Sequence, residues 1–140
     1  MILATTAYFA LYYAFMTFQS FSKIYLATTA TRDDAGKKPS LAQIKYGPKR
    51  GLALMSDRTF LNMMEQSPAL LAALWMYALA VDPPHAANLM WAYLPFRAFY
   101  PAVFLAGVPV LFLSTAPNYA VIWYALYRVA AVALAATPSA

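Results

Sequence analysis

The sequence contains no cysteine and a single histidine, His85. Without cysteine the chain has no disulfide, no thiolate metal site and no cysteine nucleophile. A single histidine removes most histidine-based chemistry and nearly every zinc arrangement. We therefore expect no bound metal.

Charged residues are also scarce, at 11% of the chain, whereas an average soluble domain has about 25%. Hydrophobic residues make up 63% of the 140 residues. A soluble fold of this size has too little interior to hide so much apolar surface, which indicates an integral membrane protein. Glycine is rare, and Ala- and Leu-rich runs favour helices over the alternating strands of a transmembrane barrel. The predicted fold class is an all-α membrane protein.

Four apolar segments predict a single domain, 1–140, that forms a bundle of four transmembrane helices. Each is long enough for a hydrocarbon core of about 30 Å. The predicted breaks between the last three segments are Asp82-Pro83-Pro84 and Ala116-Pro117-Asn118, because proline ends helices. Three prolines inside the third segment predict a kinked helix. The predicted spans are about 2–29, 56–81, 87–113 and 119–136.

Most of the positive charge lies in a basic loop, 32–55, between the first and second spans. From Arg32 to Arg58 there are seven Lys or Arg residues and three Asp residues, so this segment carries 7 − 3 = +4. The positive-inside tendency places the loop on the cytosolic, matrix or stromal side, with both termini on the other side. No folded basic domain accompanies the loop, so a nucleic-acid partner is not expected.

Three polar residues of the second span, Arg58, Asn62 and Glu65, have the spacing i, i+4, i+7. On a helix this spacing places them on one narrow face. Polar groups on a membrane helix usually face a protein interior or a ligand. Glu65 is the only acidic residue well inside a span. We expect it to pair with Arg97, Arg58 or another donor, because an unpaired charge is costly there.

The remaining polar groups of the spans allow more than one interpretation. Arg97 and Glu65 can form a buried pair that fixes helix packing, or the surplus arginine charge can receive an anionic ligand. Arg128, about 12 Å of helix before the end of the last span, can snorkel or contact a lipid headgroup. Tyr100 lies three residues after Arg97 and can bond within the bundle or donate to an anion or a thiolate.

Two motifs, in this topology, resemble the MAPEG family, the membrane-associated proteins in eicosanoid and glutathione metabolism. The second span carries one motif and the third span carries the other. The resemblance covers most of the chain by topology, and the first motif is the more specific. The motifs are Arg58-x-x-x-Asn62-x-x-Glu65-x-x-Pro68 and Arg97-x-x-Tyr100-Pro101-x-x-Phe104.

The resemblance implies a homotrimer of four-helix protomers that binds glutathione between neighbouring protomers, in the cytosolic half of the membrane. It assigns ligand contacts to Arg58, Asn62 and Glu65, and it places Tyr100 in the lining of the site. In a glutathione-dependent enzyme we expect Arg97 to join these ligand contacts and Tyr100, as the candidate catalytic residue, to orient the thiol. It also implies that the lipophilic co-substrate enters from the bilayer.

The chain departs from the family pattern in the catalytic half of the motif. Phe104 stands where active members have a second tyrosine, and Leu111 stands where they have an arginine that activates the thiolate. Neither side chain donates a hydrogen bond. The sequence therefore leaves three functions open: a glutathione-dependent transferase or peroxidase, a non-catalytic subunit of a larger respiratory or photosynthetic membrane complex, or a lipid-binding scaffold.

Overall fold

The protein is helical throughout the part of the chain that the computed structural model describes, residues 1–30, 37–47 and 51–137. These ranges contain no strand, so the predicted all-α class is confirmed. The loop residues Arg32–Asp34 and Lys49–Arg50 lie outside the described residues. The helices are α1 (Ile2–Thr29), α2 (Leu41–Tyr46), α3 (Gly51–Ala80), α4 (Pro83–Ala98), α5 (Tyr100–Ala106) and α6 (Val108–Ala136).

The break between α3 and α4 lies where the sequence predicts it. Asp82 is the N-cap of α4, and its Oδ1 accepts a hydrogen bond from the His85 backbone N–H at 3.1 Å. Pro83 and Pro84 occupy the first positions of α4, where a missing backbone N–H costs nothing. We call the end of the bundle at Val81–Asp82 the turn end.

The predicted turn at Ala116–Asn118 is wrong, because Pro117 lies inside α6. The chain reverses instead at Gly107, whose φ of +97° is accessible to glycine at little cost. Pro109 follows in the first turn of α6, a position that proline favours. The predicted kink in the third span is confirmed, since α4 and α5 meet at Phe99 with a bend of 42°.

Length and composition identify one helix among the described residues, Pro109–Ala136, as a candidate membrane span. The bent pair formed by Pro83–Ala98 and Tyr100–Ala106 is a second candidate if its two helices together make one span. The helices α1 and α3 have 28 and 30 residues, so each has the length to cross a hydrocarbon core of about 30 Å. Four spans remain a prediction.

The helices α1, α3, α4 and α6 share one core. Tyr8 of α1 is fully buried and hydrogen-bonds to the Ser67 hydroxyl of α3. Tyr93 of α4 donates from its hydroxyl to Gln66 Oε1 at 3.0 Å. On α6, Ser114 donates to the Phe96 carbonyl at 2.5 Å. These bonds hold α4 antiparallel to both α3 and α6.

A buried ion pair joins α1 to α3 at the opposite end of the bundle, which we call the basic end (Lys23, Asp57 and Arg58). Lys23 Nζ lies 2.7 Å from Asp57 Oδ1, and Gln19 Nε2 donates to the same oxygen at 2.7 Å. Only 3% of the Asp57 side chain is exposed. Removing one partner of such a pair leaves the other charge buried without compensation.

We expect Asp57→Ala to lower the free energy of unfolding by about 3–5 kcal/mol, because the Lys23 ammonium then stays buried alone. Thermal unfolding in detergent, followed by helical circular dichroism, measures this loss. The double variant Lys23→Met/Asp57→Leu is the control and should regain most of the stability. A single variant as stable as the unmodified protein would show that the pair contributes nothing.

Part of the basic loop is ordered, which is one of the two alternatives that its composition allows, an irregular segment or one partly ordered by the helix ends. The short helix α2 begins with a capping box: Ser40 Oγ accepts from the Gln43 backbone N–H at 3.2 Å, and Gln43 Oε1 accepts from the Ser40 backbone N–H at 2.7 Å. Lys38 Nζ donates to the carbonyl of Thr28 at 2.7 Å, near the end of α1. These contacts tie this part of the loop to the basic end.

Candidate functional site

Arg97 is the largest fully buried side chain of the described structure, with an exposed fraction of 0%. One guanidinium nitrogen, Nη2, donates to Asn62 Oδ1 at 2.9 Å, and Nε donates to the sulfur of Met63 at 3.3 Å. The guanidinium carbon lies 5.3 Å from the centre of the Tyr100 ring. The third nitrogen, Nη1, has no hydrogen-bond partner in the described part of the chain. The site therefore holds a buried guanidinium bonded only to neutral groups.

The side-chain amide of Asn62 is held in one orientation by two donors. Its Oδ1 accepts from Arg97 Nη2 at 2.9 Å and from Gln66 Nε2 at 3.1 Å. Gln66 is fixed in turn by the Tyr93 hydroxyl, which donates to its Oε1 at 3.0 Å. Since the oxygen of Asn62 is occupied by two donors, the NH₂ group is the part of the amide left for a ligand. Asn62 thus offers donors, which suit a carbonyl or a carboxylate.

Arg58 and Glu65 are both exposed on the protomer. Within the described ranges no hydrogen bond or ion pair connects Glu65 to another side chain, so the expected pairing of Glu65 with Arg97 or Arg58 is wrong within one protomer. The reason is the direction in which the face of α3 that carries Glu65 points. Met63 and Gln66 are the buried residues of this turn, and they point the neighbouring Glu65 outward.

Glu65 lines a groove between α3 and α6 with a volume of about 290 Å³. This volume is at the small end of the range for ligand pockets, about 300–1,000 Å³. Apart from the Glu65 carboxylate, the Gln66 amide and a tyrosine, its walls are apolar. The lining residues are Glu65, Gln66, Ala69, Tyr119, Ile122, Trp123 and Leu126.

Tyr100 is buried and lies between Arg97 and Phe104. Its ring centre is 6.1 Å from that of Phe104, in a stacked arrangement. Leu111 lies one turn before Ser114, whose hydroxyl bonds to the carbonyl next to Arg97. Phe104 therefore packs an apolar ring on Tyr100, and Leu111 adds an apolar side chain one turn nearer the start of α6.

Three polar residues of this region are missing from the sequence-based site. Gln66 and Tyr93 lie one turn from Asn62 and Arg97, and that i, i+4 spacing is the signal that could have revealed them. Asn118 was assigned to a turn, yet it is fully buried on α6. Neither its Nδ2 nor its Oδ1 has a partner among the described residues.

The donor set does not suit a metal ion. No group of three or more His, Cys, Asp or Glu side chains comes together in the described part of the chain. The positive charge of Arg97, the donor face of Asn62 and the exposed Arg58 suit an anionic organic ligand instead. The Glu65 carboxylate adds a position for an ammonium group.

The apolar helices and the arginine buried between α3 and α4 define a helical membrane protein with a polar site inside its bundle. The model of the MAPEG family matches residues 1–135 of the chain. The chain belongs to this family, and the resemblance seen in its motifs is confirmed. No curated protein and no solved structure matches the chain.

Proposed function

We propose that this MAPEG-family protein binds glutathione along the stripe formed by Arg58, Asn62 and Glu65 and uses it as a transferase or peroxidase on lipophilic substrates. The observation that carries the proposal is the buried Arg97 guanidinium, which has no carboxylate partner among the described residues. An uncompensated charge inside a membrane bundle usually marks a ligand path. Arg97 also joins the two family motifs, because it bonds to Asn62.

The dimensions and charges of the stripe suit glutathione. Arg58 and Glu65 are separated by about 10 Å along α3, at 1.5 Å per residue. An extended tripeptide spans about 10 Å as well. Glutathione carries two carboxylates and one ammonium group. We assign a carboxylate to Arg58, the ammonium to Glu65 and an intervening carbonyl to the donor face of Asn62, with Arg97 adding positive charge beneath it.

We infer a homotrimer from the family resemblance, and the geometry of the protomer supports a neighbouring copy at the stripe. Arg58 and Glu65 are exposed on one protomer, and the groove beside Glu65 is only about 290 Å³ in volume. Binding sites bury most of a ligand surface. A neighbouring copy covering the stripe would enclose the tripeptide and remove water from its charges. The lipophilic substrate would reach the thiol from the bilayer.

The chemistry consists of proton loss from the glutathione thiol and attack of the thiolate on an electrophilic carbon or a peroxide oxygen. The thiol proton passes to water at the basic end of the stripe. In the transferase reaction the S–C bond forms as the leaving group departs with its electron pair. In the peroxidase reaction the S–O bond forms as the O–O bond breaks and the alkoxide leaves as an alcohol after protonation. A second glutathione then attacks the sulfenic acid sulfur and releases water, which gives glutathione disulfide. Arg97 and Tyr100 are the groups of the site that can favour the thiolate form of glutathione. Phe104 and Leu111 add no charge or donor, so we expect glutathione binding with slow turnover.

A direct binding measurement tests the proposal. We expect isothermal titration calorimetry on the full chain in nanodiscs to show glutathione binding, and Arg58→Ala and Glu65→Ala to weaken it about 10- to 100-fold each, because each loses one charge-assisted contact. Lys45→Ala is the matched control, since Lys45 is an exposed cation of the same basic segment. Absence of binding at millimolar glutathione would refute the proposal.

The proposal includes an orientation of the protein in the membrane. The positive-inside tendency places the basic end in the cytosol, matrix or stroma, where the Arg58 end of the stripe would take up glutathione from solution. The turn end would then face the other compartment. A multi-pass arrangement with α1, α3, the α4–α5 pair and α6 as four spans fits this orientation.

The alternative function is a non-catalytic subunit of a larger membrane complex, and one observation favours it. The last turns of α6, 130–136, are exposed throughout, and Leu134 has an exposed fraction of 76%. No helix of the described protomer packs on this apolar segment, so a partner subunit could cover it. Purification from native membranes in mild detergent distinguishes the two, since recovery only as a free homotrimer argues against the subunit.

A further inference from the structure

Arg128 lies in α6, outside the stripe formed by Arg58, Asn62 and Glu65. Its Nη1 donates to the Tyr124 hydroxyl at 3.2 Å. None of the carboxylates in the described ranges forms an ion pair with it. The helix around it is the candidate span Pro109–Ala136. A guanidinium in such a segment needs a counter-ion from outside the protomer.

An aromatic cluster from three helices fixes the position of this guanidinium. The Tyr124 ring centre lies 6.2 Å from that of Tyr77 on α3 and 6.0 Å from that of His85 on α4. Tyr77 and His85 are 5.6 Å apart. Asp82 caps the helix that carries His85. Tyr124 is therefore held by packing, and it orients the arginine through its hydroxyl.

The cluster lies at the depth of a membrane interface. Tyr77 is in the last turn of α3, and His85 is in the first turn of α4. From Asp57 at the basic end to Ala80 at the turn end, α3 extends about 35 Å at 1.5 Å per residue. That length slightly exceeds a hydrocarbon core of about 30 Å. Arg128 thus lies near the headgroup layer on the side opposite the basic end.

The residue before Arg128 is exposed on the described protomer, since Tyr127 has an exposed fraction of 70%. Aromatic residues of this kind concentrate at membrane interfaces, where the ring lies in the apolar layer and the polar tip reaches water. An arginine among them meets headgroup phosphates as its nearest anions.

We propose that Arg128 binds a phosphate oxyanion of a phospholipid headgroup. The Tyr124 hydroxyl orients the guanidinium, and the rings of Tyr77 and His85 pack against Tyr124. Arginine has five N–H donors, and one of them is used by Tyr124, so a bidentate pair remains for two phosphate oxygens. The same chemistry would accept free phosphate from solution. The exposed neighbour Tyr127 favours the lipid, because the acyl chains of the lipid then cover its ring.

Native mass spectrometry of the full chain, delipidated in mild detergent and titrated with phosphatidylglycerol, tests the site. We expect Arg128→Gln to weaken lipid binding about tenfold or more, which corresponds to about 1.4 kcal/mol. Arg128→Lys should weaken it less, because it keeps the charge but loses the bidentate geometry. Lys45→Gln, a charge removal at the basic end, should leave lipid binding unchanged.

Two outcomes would overturn the assignment. Equal lipid binding by Arg128→Gln and the unmodified protein would show that the arginine is not a phosphate ligand. Displacement of the lipid by millimolar inorganic phosphate would instead assign the site to a soluble anion. Retention of the lipid in the presence of phosphate, together with the Arg128→Gln loss, supports the lipid site.

Discussion

Replacing Arg97 by methionine is expected to abolish glutathione binding and to leave the fold as stable as before, or more stable. The loss should be about 100-fold or more in Kd, because removing a buried charge from a binding site costs about 2–5 kcal/mol. Stability should not fall, since methionine has a similar length and the lost charge has no carboxylate partner among the described residues. Replacing buried charges by apolar side chains is often neutral or stabilising.

The two measurements together separate a binding arginine from a structural one. Calorimetry gives the affinity for glutathione, and thermal unfolding in the same detergent gives the stability. Asn62 keeps one of its two donors, Gln66, in the variant. Lys45→Met is the matched control, because it removes an exposed cation outside the stripe. A large drop in melting temperature with unchanged affinity would show that Arg97 serves packing alone.

The helix ends show how far local sequence signals determine where the chain turns. Asp82-Pro83-Pro84 combines a capping carboxylate with two prolines at the start of a helix, so the predicted break is the observed one. Pro117 gives an equally strong signal, but it stays within α6. The turn occurs at Gly107, which takes a positive φ. A glycine followed two residues later by proline was the better signal, because it combines backbone freedom with a favoured helix start.

The candidate site shows which feature of a membrane helix its sequence does not determine, namely the direction in which a polar face points. The i, i+4, i+7 spacing correctly places Arg58, Asn62 and Glu65 on one face of α3. It does not tell which way this face points. In a soluble helix the apolar stripe marks the core, but in a membrane helix lipid-facing and core-facing residues are both apolar. The neighbouring buried residues Met63 and Gln66 decide the direction, and only the packing of α3 against α4 reveals them.

The partner of Arg97 was left open for the same reason. A pair with Glu65 was one of two interpretations, whereas the structure supplies a neutral amide and a sulfur. The two donors to the Asn62 amide oxygen come from different helices, Gln66 from α3 and Arg97 from α4, so their convergence depends on the packing of these helices. The uncompensated charge that results is what makes Arg97 the strongest argument for an anionic ligand.

Introducing an arginine at Leu111 is expected to raise the glutathione transferase rate about tenfold. A guanidinium near the thiol favours the thiolate, and lowering the thiol pKa by about one unit multiplies the thiolate fraction about tenfold below that pKa. Leu111 lies on α6 one turn before Ser114, which bonds to the residue preceding Arg97. The rate is measured with a lipophilic electrophile at saturating glutathione, on the full chain in nanodiscs.

The matched control is Leu105→Arg, because Leu105 lies on the outer face of α5 with an exposed fraction of 66%. It adds the same charge to the same region without approaching Arg97, so its rate should equal that of the unmodified chain. Phe104→Tyr, combined with Leu111→Arg, should add a further increase through a hydroxyl donor. If Leu111→Arg binds glutathione normally and gains no rate, the thiol does not lie beside Leu111. The slow turnover would then have another cause, and the assignment of the chain as a transferase would lose its chemical basis.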